Sequence, residues 1–219
     1  TADLWRDQLA ALSRQADCRV THEHIGHDSV AAIAAAILAT APSEFALAGL
    51  SMGGYIALEI MRQAPGRVTR LALLDTSDRA DDQAPPADRR DLIALAQRGR
   101  FRGVTERLLP LLIHADRLGN TALTGRIMQM ALDVGRDRFL VQQQAIMGRP
   151  DSRADLAAIR CPTLVVCGLQ DQRTPPDLSR EMAAAIPGAE LRLIERCGHM
   201  STMEEPAAVN RALGDWLAA

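Results

Sequence analysis

The sequence predicts an α/β architecture: a mostly parallel sheet with helices on both faces and a helical block inserted between two strands. Three observations lead there. Apolar runs of strand length alternate with segments of helical period in both halves of the chain. The alternation breaks at Asp78 and resumes after Pro150. The apolar stretch Phe45–Leu50 runs directly into Gly49-Leu50-Ser51-Met52-Gly53, a Gly-x-Ser-x-Gly turn that opens a helix.

The elements follow in order. Asp3 is a candidate cap for a first helix over 4–15, with Leu4, Leu9 and Leu12 on its buried face. Residues 18–21 read as a short strand and 22–29 as a loop. An Ala-rich helix over 30–41 has Asp28 or Ser29 as its cap. The strand 45–50 and its turn lead to a helical pattern over 55–64 that stops at Pro65-Gly66. A second apolar strand over 68–74 ends at Asp75-Thr76-Ser77. The polar, Pro-rich stretch 79–86 marks a boundary, and four helical segments follow near 87–98, 102–115, 119–134 and 136–147. Their apolar positions, among them Leu92, Ile93, Leu108, Ile127 and Met130, recur at helical spacing. Most of them are expected to pack the block itself and a minority to line an acyl pocket. Beyond it come a strand over 163–167, a helix over 176–185, a strand over 191–194 and a last helix over 204–217 with Pro206 in its first turn. The chain thus divides into core 1–78, helical lid 79–150 and core 151–219.

Bulk properties narrow the function. At 219 residues, 47% hydrophobic and 24% charged, the chain has the composition of a well-buried globular core. A net charge of −2 and 3% aromatic residues argue against a nucleic-acid partner. No apolar run is long enough to span a bilayer. Every Lys-or-Arg position is arginine, which excludes Schiff-base chemistry, pyridoxal phosphate attachment and a phosphate-loop lysine. Cys18, Cys161, Cys167 and Cys197 form no Cys-x-x-Cys pair and read as free thiols of a reducing, cytoplasmic compartment.

The chemistry centres on Ser51. Gly49 and Gly53 are expected to let strand and helix approach closely, lifting the serine hydroxyl to the carboxyl edge of the sheet. The Met52 backbone N–H, at the helix start, is placed to donate to an oxyanion. A serine hydroxyl needs a base to take its proton, and the base needs a third group to hold its tautomer. Asp171 follows the strand 163–167 and His199 follows the strand 191–194, so both belong on the same edge as Ser51. Asp75, just past the preceding strand, is the rival acid. Leu50 and Met200 flank these residues as candidate substrate contacts. His22, Glu23, His24 and His27 are a weak metal motif, with no downstream carboxylate cluster to complete it; no metal or cofactor is expected.

In Gly26-His27-Asp28-Ser29, Gly49-Leu50-Ser51-Met52-Gly53-Gly54, Gly168-x-x-Asp171-x-x-Thr174-Pro175 and Cys197-Gly198-His199 the sequence resembles the lid-bearing α/β-hydrolase superfamily over nearly its whole length. Within it, the elbow looks most like those of bacterial carboxylesterases and enol-lactone hydrolases. The resemblance implies the α/β-hydrolase fold and a Ser51–His199–Asp171 triad. It also implies a small ester or lactone as substrate. Serine in the elbow argues against the haloalkane dehalogenases and epoxide hydrolases of this fold, which use aspartate there. Thioesters, carbon–carbon bonds and perhydrolysis stay open, because one triad serves them all. The chain departs from the family at its start, where a strand and a His-Gly-like loop with the second oxyanion donor are expected. The natural protein is therefore expected to carry roughly 20–40 further N-terminal residues. The absent loop motivates an alternative reading, a ligand-binding or scaffold protein of low turnover on the same fold.

Overall fold

Four of the five segments with strand pattern form a sheet. In this computed structural model, which describes residues 1–81 and 89–219, the strands are β1 (Phe45–Leu50), β2 (Val68–Leu74), β3 (Thr163–Gly168) and β4 (Glu190–Ile194). They lie in the order β1-β2-β3-β4 and every pairing is parallel. Leu50 pairs with Leu74, Leu74 with Val166, and Gly168 with Ile194. The carboxyl ends are therefore in step, and the loops that leave them gather on one edge.

Alternating side chains divide the core into two layers. Leu71, Leu73 and Val165 face helices α2 (Val30–Thr40), α3 (Met52–Gln63) and α6 (Pro176–Ala185). Ala72, Leu74, Leu164 and Val166 face α1 (Arg6–Leu12) and α8 (Pro206–Ala218). Strand residues Leu71 to Leu74 and Leu164 to Cys167 are all 0% exposed, as expected of a parallel sheet covered on both faces.

Several elements differ from their sequence pattern. Residues 18–21 form no strand. A strand exists only through a ladder of hydrogen bonds, and among the described residues β1 pairs with β2 alone. The first helix begins as a 3₁₀ turn, Ala2–Trp5, before α1. Asp3 does not cap it; its carboxylate instead meets Arg126 of α5 (Thr121–Met147) at 3.1 Å. The cap of α2 is Ser29, whose hydroxyl accepts from the Ala32 N–H at 3.2 Å. The last helix breaks at Glu205 into α7 (Ser201–Glu204) and α8.

The helical block sits between β2 and β3. Its first helix, α4 (Arg89–Leu95), continues into a π-helical turn over Ala96–Arg100. Most of the expected boundary at 79–86, and the Leu92 side chain, lie outside the described residues. The segment 102–115 contains only the 3₁₀ turn Leu109–Leu111 rather than a helix. Pro110 lacks the N–H that a helix interior requires, which limits the turn. Helix α5 covers the last two expected helices in one run broken at Gly135, whose φ of 74° and ψ of 169° only glycine adopts without strain. Leu109, Ile113, Leu123 and Ile127 bury against Met203, seating this block over α7.

Candidate active site

The turn after β1 is held from three sides. The Ser51 N–H donates to the Leu74 carbonyl at 2.9 Å, and the Ser51 carbonyl accepts from the Thr76 hydroxyl at 2.8 Å and the Gly54 N–H at 2.9 Å. These bonds hold Ser51 at φ 53°, ψ −114°, in the left-handed half of the map, where a non-glycine residue is strained. Close approach is needed at Gly49, where a Cβ would strike the Gly53 carbonyl, and at Gly54, where it would strike the Thr76 side chain. A Cβ at Gly53 would meet open space, so Gly54 takes the packing role that the sequence motif assigns to Gly53. Met52 opens α3 with its N–H at the helix start.

Ser51, His199 and Asp171 stand in a hydrogen-bonded series. The Ser51 Oγ is 2.9 Å from His199 Nε2, and His199 Nδ1 is 2.8 Å from Asp171 Oδ2. Asp171 Oδ1 accepts from the N–H groups of Arg173 (2.7 Å) and Thr174 (3.0 Å), and Oδ2 accepts from the Thr174 hydroxyl (2.7 Å). Asp75 does not reach the imidazole by hydrogen bond; its two oxygens accept from the Gly168 and Ser201 N–H groups instead.

Opposing forces set the charges. Burial works to raise the Asp171 pKa, but the neighbouring imidazolium and the donors above bring it below the ordinary carboxylate value. Burial works to lower the His199 pKa, and the Asp171 carboxylate overrides it, so the imidazole titrates above its ordinary 6.5. Burial pushes the Cys167 and Cys197 thiols well up, so neither is a nucleophile near neutrality.

The acid and histidine loops also brace each other directly. The Leu169 N–H donates to the Ile194 carbonyl at 2.8 Å, the Gln170 N–H to the Cys197 carbonyl at 2.9 Å, and the Cys197 N–H to Gln170 Oε1 at 3.1 Å. Glu204, a residue the sequence reading passed over, gathers a third segment. Its carboxylate accepts from the N–H groups of Gly198 (3.0 Å), Met200 (3.2 Å) and, across from the helical block, His114 (2.7 Å). The His199 N–H donates to Leu112 in the same block at 2.9 Å. The signal for Glu204 was its place five residues after His199, one turn into a helix, where a carboxylate can reach back to free N–H groups.

A cavity of about 1150 Å³ runs from Ser51 along β1, from Leu50 back to Phe45, and between the first helix and α2. Ser51, Met52, His199 and Met200 border it, as do Val104, Leu112, Ile127 and Met130 of the helical block. Leu50 borders it as well, though it is only 7% exposed and packs with Ala72 and Leu74. Four arginines join the lining: Arg19, Arg89, Arg149 and Arg173. Arg149 stacks over Tyr55, 4.4 Å from the ring centroid, and pairs with Asp81 at 2.5 Å. Arg89 shares Asp81 at 3.3 Å, and its buried Nε has no hydrogen-bond partner among the described residues. Of the weak histidine motif, His22 and His24 stand with ring centroids 6.3 Å apart, and no described carboxylate joins them in a three-donor group. The donors that do converge are Asp75, Cys167 and Asp171. They suit a metal poorly, since both carboxylates are engaged by N–H donors and the thiol is held protonated.

Residues 2–212 match the model of a protein family described as the alpha/beta hydrolase family. The chain belongs to that family. It is 29% identical over 177 residues to the 2-hydroxy-6-oxononadienedioate/2-hydroxy-6-oxononatrienedioate hydrolase of Paraburkholderia xenovorans, covering 78% of this chain and 61% of that protein. A pimeloyl-[acyl-carrier protein] methyl ester esterase of Chromobacterium violaceum is 29% identical over 194 residues, covering 85% of this chain and 75% of that one. Among solved structures, a thermophilic esterase from Thermogutta terrifontis, with malate bound, superposes with a TM-score of 0.83 at 28% identity, over 99% of this chain and 85% of that chain. The chain spans about three-fifths of the length of the first of these relatives. No described helix is long and apolar enough to cross a membrane.

Proposed function

We propose that this α/β hydrolase is a serine hydrolase that cleaves a small carboxylic ester or lactone through an acyl-enzyme. The observation that carries the reading is the unbroken series from Ser51 Oγ to His199 to Asp171, at 2.9 and 2.8 Å, on a serine held at positive φ. His199 Nε2 takes the serine proton as Oγ adds to the substrate carbonyl. The Met52 N–H faces the oxygen that becomes negative; one such donor is worth about 3 kcal/mol of barrier. The imidazolium then protonates the departing alkoxide, and water, activated by the same imidazole, releases the acid. Asp171 keeps the Nδ1 proton in place and stabilises the imidazolium.

The arginines of the cavity favour an acyl part that ends in a carboxylate. Arg89 and Arg149 share Asp81 as their one carboxylate partner, and Arg173 makes no ion pair, among the described residues. Two comparisons agree: one relative is named for a dienedioate, and the Thermogutta terrifontis esterase holds malate.

The test uses a fluorophosphonate and intact-mass measurement on the wild type and on Ser51→Ala. A single adduct on the wild type that is absent from the variant supports the reading. No adduct on folded wild type sinks it. Esters with and without a terminal carboxylate then sort the substrate: Arg173→Gln is expected to raise KM about ten-fold for the charged ester and leave the neutral one unchanged.

A further inference from the structure

The reaction scheme gives no task to Asp75, a fully buried carboxylate beneath the site. Asp75 follows β2, between the strand that delivers Ser51 and the strand that leads to Asp171. It is 0% exposed and its backbone is held at φ 44°. Its Oδ1 accepts from the Gly168 N–H at 2.9 Å, its Oδ2 from the Ser201 N–H at 3.2 Å, and its own N–H donates to the Val166 carbonyl at 2.9 Å. Gly168 opens the acid loop, and Ser201 begins the helix two residues after His199. One side chain therefore ties the acid loop to the histidine segment from beneath, without touching either functional group by hydrogen bond.

We propose that Asp75 is a positioning residue of the Ser51–His199–Asp171 site, fixing the acid loop against the histidine segment and setting, through its charge, how readily His199 holds a proton. The inference rests on the acyl-transfer reading above. A carboxylate oxygen of Asp75 lies within 4.8 Å of one of Asp171 and of the Cys167 sulfur. Two carboxylates this close cannot both ionise freely. Burial first, and the Asp171 charge second, raise Asp75 to about 7. The other titratable groups within reach are His199 and Cys197 on the histidine segment, and Arg173 opposes the imidazolium from the acid loop. Among these, Asp171 and then Asp75 supply the negative charge that favours the imidazolium.

Protonation of Asp75 and of His199 therefore oppose each other. When Asp75 takes a proton it loses its charge, and His199 becomes easier to deprotonate. Loss of activity toward low pH should spread over two coupled steps rather than one. A residue that merely braced the backbone would not have this effect.

The test follows Ser51 phosphonylation by a fluorophosphonate between about pH 5 and pH 9 in wild type and Asp75→Asn. The asparagine keeps one acceptor and turns an amino group toward the other N–H, so some loss of rate is expected at every pH. The deciding result is the shape. The variant's acid limb should narrow to a single-proton curve with its midpoint lower by about half to one pH unit. A lower rate with an unchanged midpoint and width overturns the charge role. If Asp75→Asn does not fold, nitrogen NMR of the His199 ring in Ser51→Ala takes its place. Two inflections are expected, one of them near the raised Asp75 value, and a single inflection overturns the proposal. Failure of the wild type to label at any pH would strike the acyl-transfer reading, and the NMR titration would still decide the role of Asp75.

Discussion

The carboxyl edge of the sheet and the helical block above it are built in opposite ways. On the sheet edge, Asp75, Asp171, His199 and Glu204 are each at most 6% exposed; Asp75, His199 and Glu204 bond backbone groups of another segment, and Asp171 bonds N–H groups of its own loop and the His199 ring. The helical block has a helix broken at Gly135, a π-helical turn and an irregular stretch around Pro110. It also holds three of the four large apolar side chains that are exposed among the described residues: Leu118, Leu132 and Met147. The difference separates two tasks. The edge holds the Ser51–His199–Asp171 series in one geometry, as the proposed proton transfer would need. The block shapes a cavity, which needs only apolar bulk and a few anchored contacts.

Substitutions in each region test the separation. The largest effect belongs to the edge: His199→Ala should cut phosphonylation and ester hydrolysis by about 10⁴-fold or more. Asp171→Asn should cost about 10⁴-fold while leaving the fold intact, because the asparagine amide stabilises the wrong imidazole tautomer. Glu204→Gln sits where the two regions meet. Its amide can accept at one atom only, so at least one of three N–H groups loses its partner, at a cost of about 1–3 kcal/mol. A fall in thermal midpoint together with a loss in kcat would tie the block to His199, whereas a fall in midpoint alone would separate them. Gly135→Ala should cost about 1–3 kcal/mol, because a Cβ is strained at this φ and ψ. Ser51 phosphonylation should not change; if it does, the division of tasks is wrong.

The smallest effect is in the pH dependence of stability. The Asp75 pKa in the folded chain, about 7, lies above the ordinary carboxylate value of 3.8. Its contribution is therefore complete below about pH 4 and is lost as pH rises through the folded value. Denaturation midpoints of wild type should fall between about pH 5 and pH 8, and those of Asp75→Asn should fall less. Asp171, with its pKa lowered, has the opposite sign: its contribution is present above the ordinary carboxylate value of 3.8 and is lost as pH falls below it.

The same division explains what the sequence revealed. Strands buried on both faces leave continuous apolar runs, so β1 to β4 could be read to within a residue or so, and the loops behind them located Ser51, Asp171 and His199. Residues 18–21 have strand composition, but pairing depends on a neighbour that a local pattern does not contain. Gly135 divided the expected helices 119–134 and 136–147 at the position where α5 breaks. The segment 102–115 misled because its leucines recur at helical spacing while packing from turns onto Met203. Glu204 and the hydrogen-bonding role of Asp75 escaped notice for a different reason. Their partners are backbone N–H groups of distant segments, and backbone amides leave no letter in a sequence.

The bonds from residues 112–114 to His199 and Glu204 bear on how such a protein could be redesigned. Among the described residues, the backbone groups of the block that bond to the histidine segment are the Leu112 carbonyl and the His114 N–H. The distal half of α5, beyond Gly135, makes neither of them. That half does bury Gln143, Ala145 and Ile146, the last two within the core around α2 and α3, so a graft that recuts the cavity there has to keep those three positions while residues 112–114 go on holding the histidine segment.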